Sequence, residues 1–235
     1  MREKRPKIIF LMETKQTVEE MGKVKEELHH QGGLVALCDR SWGGRQGGLA
    51  MFSKDEVNLH IQTYSPHHID AIILTDPRAL WRITGFYGYS EERHKHKSWT
   101  LLHRLHSRLP MPWLCTGDYN EILSFDKKQG QVEKAFLSML AFWNALAHCG
   151  LLDLGFQGSK FTWNNGRLGV EFVQERIDRA CANGEWNDLF PRSCVLHLSA
   201  SYSDHISILL AVHANNGRNR KKNTPRRFEE KWASH

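Results

Sequence analysis

The order of apolar segments predicts an α/β protein in which two packed β-sheets are flanked by helices. Three observations carry this reading. Five strand-like segments follow one another between residues 34 and 87, a few amphipathic helical stretches stand between groups of strands, and the regular strand-helix alternation of an all-parallel sheet is missing. At 235 residues, 40% hydrophobic and 25% charged, the chain has enough apolar material for a well-buried core, which excludes disorder and fibre as whole-chain descriptions.

Residues 7–12 read as a short buried strand. Over 17–31, Val18, Met21, Val24 and Leu28 recur at spacings of three and four, which predicts a helix ended by Gly32 and Gly33. Segments 34–38, 49–52, 57–64, 69–74 and 81–87 are rich in β-branched or aromatic residues and separated by turn residues, as adjacent strands are. Gly43-Gly44 and Gly47-Gly48 lack a strand-to-helix phosphate-loop pattern and read as a flexible hairpin turn. Ser90 is placed to cap a helix over 91–108, with Trp99, Leu102 and Leu105 on one face and Pro110 and Pro112 beyond its end.

A strand at 113–116 leads into the loop Gly117-Asp118-Tyr119-Asn120. A helix over 135–148 then puts Phe136, Leu140, Trp143 and Ala147 on an expected buried stripe, ended by Gly150. Further strands are predicted at 161–163, 175–180, 194–198 and 206–212, with a short helix at 185–190. The domain is expected to span 7–213, followed by a basic linker or tail over 214–235.

Of the formal net charge of +6, residues 218–235 hold seven Lys and Arg against two Glu, so that tail carries +5 and the rest +1. A basic tail can bind polyanions by counterion release, and a solvated linker gives the same pattern. No apolar run approaches the roughly 20 residues of a membrane helix or the form of a signal peptide, so an intracellular, unsecreted protein is expected. Five scattered cysteines without Cys-x-x-Cys spacing argue for reduced thiols, several of them buried. Paired histidines such as His29-His30, His67-His68 and His103 with His106 match no metal spacing and read as surface residues.

Four polar clusters stand at strand ends: Glu13, Asp118 with Asn120, Asp178 between Arg176 and Arg179, and Ser203-Asp204-His205. A carboxylate abutting a buried strand must be solvated in a cleft, paired, or bound to a cation, because desolvating it alone is very costly. Glu13, Asp118 and Asp204 offer hard oxygen ligands for Mg²⁺, Asn120 an amide, and a neutral His205 a group able to deprotonate water. Taken singly, each has a plain structural explanation: a helix cap for Glu13, a turn for Asp118 and Asn120, an ion pair for Asp178 with Arg176 or Arg179, a turn for Asp204-His205.

In order, Leu11-Met12-Glu13-Thr14-Lys15, Thr84-Gly85-Phe86-Tyr87-Gly88, Gly117-Asp118-Tyr119-Asn120-Glu121-Ile122, Arg176-Ile177-Asp178-Arg179 and Ser203-Asp204-His205 resemble the motifs of the endonuclease/exonuclease/phosphatase superfamily over residues 7–212. Phe161-Thr162-Trp163-Asn164-Asn165 and residues 186–191 look like the endonuclease domain of plant LINE-type (non-LTR) retrotransposons. The resemblance implies a four-layered α/β sandwich that nicks DNA, leaving a 3′-hydroxyl. It implies that Glu13 binds Mg²⁺ (or Mn²⁺), that Asp118 and Asn120 engage the phosphate, and that His205 activates or positions the attacking group. Asp178 would orient His205, Tyr87 would sit near the scissile phosphate, and Asp204 would help hold the metal site. Trp163, Asn165 and Arg176, inside the matching motifs, are taken as substrate contacts.

Superfamily members open with an additional strand ending in an asparagine and glycine. Only residues 1–6 precede the first strand here, so the expected sheet lacks that strand, exposes an edge and loses a polar partner of the metal, impairing activity. Residues 226–232 resemble the start of a connector to a covalently linked reverse transcriptase. DNA is the expected partner, the nucleus the expected location, and a monomer the expected state. The alternatives are an inactive remnant that binds nucleic acid through its basic tail, and a phosphatase or RNase of the same superfamily.

Overall fold

A computed structural model describes residues 5–36, 47–76, 79–131, 134–198 and 203–213. The predicted tail lies outside these residues, as do Gly43-Gly44 and Cys38. Strand β1 (Ile8–Leu11), helix α1 (Val18–Glu27), β2 (Gly32–Ala36) and β3 (Leu49–Ser53) come first. The meander β4 (Asn58–Ser65), β5 (His68–Asp76) and β6 (Ala79–Tyr87) leads through α2 (Lys95–Arg108) to β7 (Trp113–Asp118). Then follow β8 (Lys128–Gln129), α3 (Phe136–His148), β9 (Leu152–Asp153), β10 (Trp163–Asn164), β11 (Gln174–Glu175), β12 (Asp178–Ala182), α4 (Gly184–Leu189), β13 (Cys194–His197) and β14 (Ile208–Ala211).

The central sheet has six strands in the order β4-β5-β6-β7-β12-β9, parallel between β6 and β7 and antiparallel elsewhere. Because side chains alternate along a strand, each strand feeds two cores. On β7, Leu114 points to one and Trp113 with Cys115 to the other; on β12, Ala180 and Ala182 oppose Cys181. The first core joins the central sheet to Leu49 and Met51 of the three-stranded sheet β1-β3-β2 and to Val195 of the hairpin β13-β14. The second joins it to α2 and α3 through Trp99, Leu102, Leu105, Phe142 and Leu146. Met21 of α1 covers Ala50 and Phe52 on the outer face of β3. The layers therefore run helix, sheet, sheet, helices, as the four-layered reading requires. Among the described residues β1 pairs with β3 alone and β14 with β13 alone.

Several elements differ from their sequence reading. Thr17 and Glu20 form a capping box that starts α1, but the helix stops at Glu27 and His29 takes a left-handed conformation. His30 is buried, with one ring nitrogen on the Leu28 carbonyl and the other on that of Pro6, and His68 is buried between Thr63 and Ser65. Neither is a surface residue. Ser90 caps nothing: a 3₁₀ turn at Glu92–His94 precedes α2, whose start is set by Lys95, buried against Glu121.

The buried face of α3 is also not the one its spacing suggested. Phe136 (60% exposed), Leu140, Trp143 (46%) and Ala147 face outward, while Met139, Phe142, Ala145 and Leu146 fill the core. In a helix this uniformly apolar, periodicity fits either face, and docking against Trp99 and Tyr119 decided between them. Phe142→Ala should therefore cost about 3–5 kcal/mol of stability. Trp143→Ala, on the opposite face, should cost no more than about 0.5–1 kcal/mol, both read from denaturant midpoints.

Candidate active site

Strands β7 and β12 run antiparallel with Asp118, the last residue of one, directly opposite Asp178, the first of the other. Both carboxylates are buried, 2% and 3% exposed, although like charges directly opposite one another on a sheet are unfavourable. His205 joins them, its Nδ1 donating to Asp178 Oδ2 at 2.9 Å, its side chain 27% exposed at the rim. Ligand atoms of Asp118, Asp178 and His205 all lie within 4.8 Å of one another.

The loop after β7 is built to hold this geometry. Gly117 has φ +140°, and a Cβ there would stand 2.1 Å from the Phe86 carbonyl oxygen, so only glycine lets β7 meet β6 so closely. The Asn120 backbone N–H donates to Asp118 Oδ1 at 2.6 Å, the Asn120 side-chain amide donates to the Gly88 carbonyl at 2.9 Å, and Gly88 N–H donates to the Asp118 carbonyl at 2.7 Å. Tyr119 points back into the core, its hydroxyl donating to the Cys115 carbonyl. Thr162 Oγ1 accepts from the N–H groups of both Ile177 and Asp178, which fixes the start of β12.

Glu13 arrives from the turn after β1. Its Oε1 accepts from the Tyr87 hydroxyl at 2.5 Å, and Lys15 Nζ stands 3.4 Å from Oε2. Tyr87 in turn sits beside Asp118 in the β6–β7 register. Glu13 (φ 49°) and Asn120 (φ 53°) are both left-handed, a conformation costing about 1–3 kcal/mol for such residues and clustering at functional sites. The Glu13 turn is pinned by Thr14 N–H and Lys15 N–H donating to the Gly48 and Gly47 carbonyls. That glycine pair, read from sequence as a flexible hairpin turn, is thus a clamp on Glu13.

Burial, then the neighbouring Asp178 charge, pushes the Asp118 carboxyl up to about 7, with Glu13 adding to the rise. For His205, burial alone would lower the pKa, but the hydrogen bond and charge of Asp178, with the charges of Asp118 and Asp204, push it up to about 9. The imidazole is thus charged at neutral pH under the protein's own field, not neutral as the residue types alone suggested. A buried excess of carboxylate beside one imidazolium, with ligand atoms already converging, fits a hard divalent cation.

The other expected residues fall into two groups. Trp163 borders the cluster: it bridges to His205 through the backbone, its ring lies 6.5 Å from that of His205, and its Nε1 donates to Asp204 Oδ2 at 3.1 Å. Glu13 and Asp204, expected as the metal pair, lie outside the group of three whose ligand atoms converge. Arg176 is not brought to the cluster; it is buried, grips Asp153 with two bonds of 2.6 and 2.8 Å, and lies over Phe156. Asn165 spends its amide on the Glu171 carbonyl and on the N–H groups of Arg167 and Val173, shaping its own loop. Sequence reasoning passed over Thr162 and the Gly47-Gly48 clamp, whose backbone partners are distant in the chain.

A model of the endonuclease/exonuclease/phosphatase family matches residues 1–205. The chain belongs to the endonuclease/exonuclease/phosphatase family. Among solved structures of the same fold, the endonuclease domain of TRAS1, a telomere-specific non-LTR retrotransposon, is 15% identical with a TM-score of 0.61, the match covering 90% of this chain and 99% of that one. The 3′ phosphatase NExo from Neisseria, bound to a product DNA hairpin, is 15% identical with a TM-score of 0.65 over 88% of this chain and 89% of that one. The AP endonuclease LMAP from Leishmania major is 13% identical with a TM-score of 0.64, covering 89% and 79%. No curated protein matches the chain. Among the described residues no helix is long and apolar enough to cross a membrane.

The raised Asp118 value means that the folded protein holds a proton the unfolded chain has released between the ordinary value of 3.8 and about 7, so stability falls as pH rises through that window. His205 contributes stability that is complete below its ordinary 6.5 and is lost as pH rises through about 9. In EDTA, the melting temperature of the wild type relative to Asp118→Asn should therefore fall as pH rises from about 4 to about 7, and Mg²⁺ should raise wild-type melting more at about pH 8 than at about pH 5. A Mg²⁺ effect of equal size at both pH values would contradict the coupling.

Proposed function

We propose that the chain is a divalent-metal-dependent phosphodiesterase that nicks DNA, derived from a retrotransposon endonuclease, with residues 7–213 forming its catalytic domain. The observation that carries this reading is the convergence of Asp118, Asp178 and His205 at the shared end of β7 and β12, beside the Glu13–Tyr87 pair. Nucleases of this family use divalent metals, and Asp118 with Asp178 would hold one here, Glu13 adding charge. Bound Mg²⁺ supplies positive charge against the phosphate oxygens and lowers the pKa of water.

The chain's own groups then divide the remaining work. Asp178 holds His205 Nδ1–H, so Nε2 is the ring nitrogen turned to the phosphate, where the charged ring donates to a phosphate oxygen. Asn120 uses one amide N–H on Gly88 and keeps a second for a phosphate oxygen. The Tyr87 hydroxyl fixes the Glu13 carboxylate, and Trp163 forms an aromatic wall beside His205 on which a base can stack. The near-complete coverage of the TRAS1 domain supports the retroelement origin. A 3′-phosphatase is the second reading, supported by the likeness to the Neisseria enzyme.

Supercoiled plasmid should be relaxed by the chain in Mg²⁺ and left intact in EDTA. His205→Ala should lower the nicking rate about 10²–10⁴-fold, and Asp178→Asn should also lower it, because the ring then loses its orienting carboxylate. Wild-type rates in His205→Ala would reject the assignment, and faster turnover of a 3′-phosphorylated oligonucleotide than of plasmid would favour the phosphatase.

A further inference from the structure

Away from the catalytic end, three histidines meet where the C-terminal half of α2 lies against the C-terminus of α3. His103 and His106 stand one turn apart on α2, and His148 is the last residue of α3. The His103 and His148 ring centres are 4.3 Å apart and inclined at 44°, and those of His106 and His148 are 5.8 Å apart at 70°. Nε2 of His103 is shielded from solvent and makes no hydrogen bond. Three imidazoles thus crowd together, and one of them presents an unused nitrogen.

We propose that His103, His106 and His148 form a second metal site, for a borderline transition ion such as Zn²⁺ rather than Mg²⁺. The donor chemistry selects the ion: neutral imidazole suits Zn²⁺, Ni²⁺ and Cu²⁺, whereas Mg²⁺ takes oxygen. Nitrogens at about 2.0–2.1 Å from a tetrahedral ion put neighbouring ring centres about 5 Å apart, and the two observed spacings bracket that figure. Two helix C-termini, which carry partial negative charge, favour a cation at this place. Among the described residues only Asp118, Asp178 and His205 have ligand atoms that already converge. The histidine trio closes instead by rotation of His106 and His148, both exposed side chains.

Such an ion would staple α2 to α3, the helices that back the strand ending in Asp118 through Trp99, Leu105, Phe142 and Trp113. The site is independent of the nuclease reading. Zn²⁺ titration by calorimetry, on the full chain carrying Asp118→Asn and Asp178→Asn to silence the catalytic cluster, tests it. One Zn²⁺ should bind and raise the melting temperature, and His103→Gln or His148→Ala in that background should weaken binding at least about tenfold, about 1.4 kcal/mol, with circular dichroism confirming the fold. Absence of Zn²⁺ binding in the parent, or affinities unchanged within about twofold in both folded variants, would overturn the proposal.

Discussion

The constraint on which the site depends is the placement of two buried carboxylates face to face across one pair of strands. Asp118 and Asp178 are register partners, and neither can move away without breaking the β7–β12 ladder. Left alone, such a pair opposes folding, since burial and like charge both disfavour ionisation. His205 compensates in part through its bond to Asp178, at the solvent-facing rim. The remaining electrostatic imbalance is one that a bound cation would relieve.

Holding this arrangement needs rigid support on every side, and the four-layer architecture supplies it. Leu114, Ala180 and Ala182 anchor β7 and β12 to one core, while Trp113, Cys115 and Cys181 anchor them to the other. Cys115, Cys149 and Cys181 serve here as buried apolar side chains with free thiols, and burial pushes each of these thiols up. Buried Arg82, bonded to Asp70 and to the Leu105 carbonyl and stacked on Trp113, ties the meander to α2 and the start of β7. The end of the sheet that carries Asp118 and Asp178 is thus locked from below.

Backbone strain marks the same place. Glu13 and Asn120 adopt left-handed conformations, and each is held by bonds to glycine carbonyls, at Gly47 and Gly48 for the Glu13 turn and at Gly88 for Asn120. Stability given up at those two residues sets the Glu13 carboxylate on the Tyr87 hydroxyl and the Asn120 amide on the Gly88 carbonyl. The fold shared with structures only 13–15% identical fits this economy: the layered architecture persists at identities that leave few side chains in common.

Much of this was legible in the residues. Alternating and amphipathic patterns located β1, the β4–β6 meander, β7 and three helices, because those periods report burial directly. Glu13, Asp118, Asn120, Asp178 and His205 stood out because charge beside an apolar strand demands a partner. Other features required the folded chain. Two-residue strands such as β8 and β9 carry no period of their own, and the outward face of α3 was hidden by its apolar composition. The opposition of Asp118 and Asp178, the capture of Arg176 by Asp153 and the burial of His30 and His68 join residues through hydrogen bonds and registers formed across the chain. Local sequence sets which groups need a partner, and only long-range packing selects the partner, because the free energy that decides it comes from desolvation in a core no single segment can build.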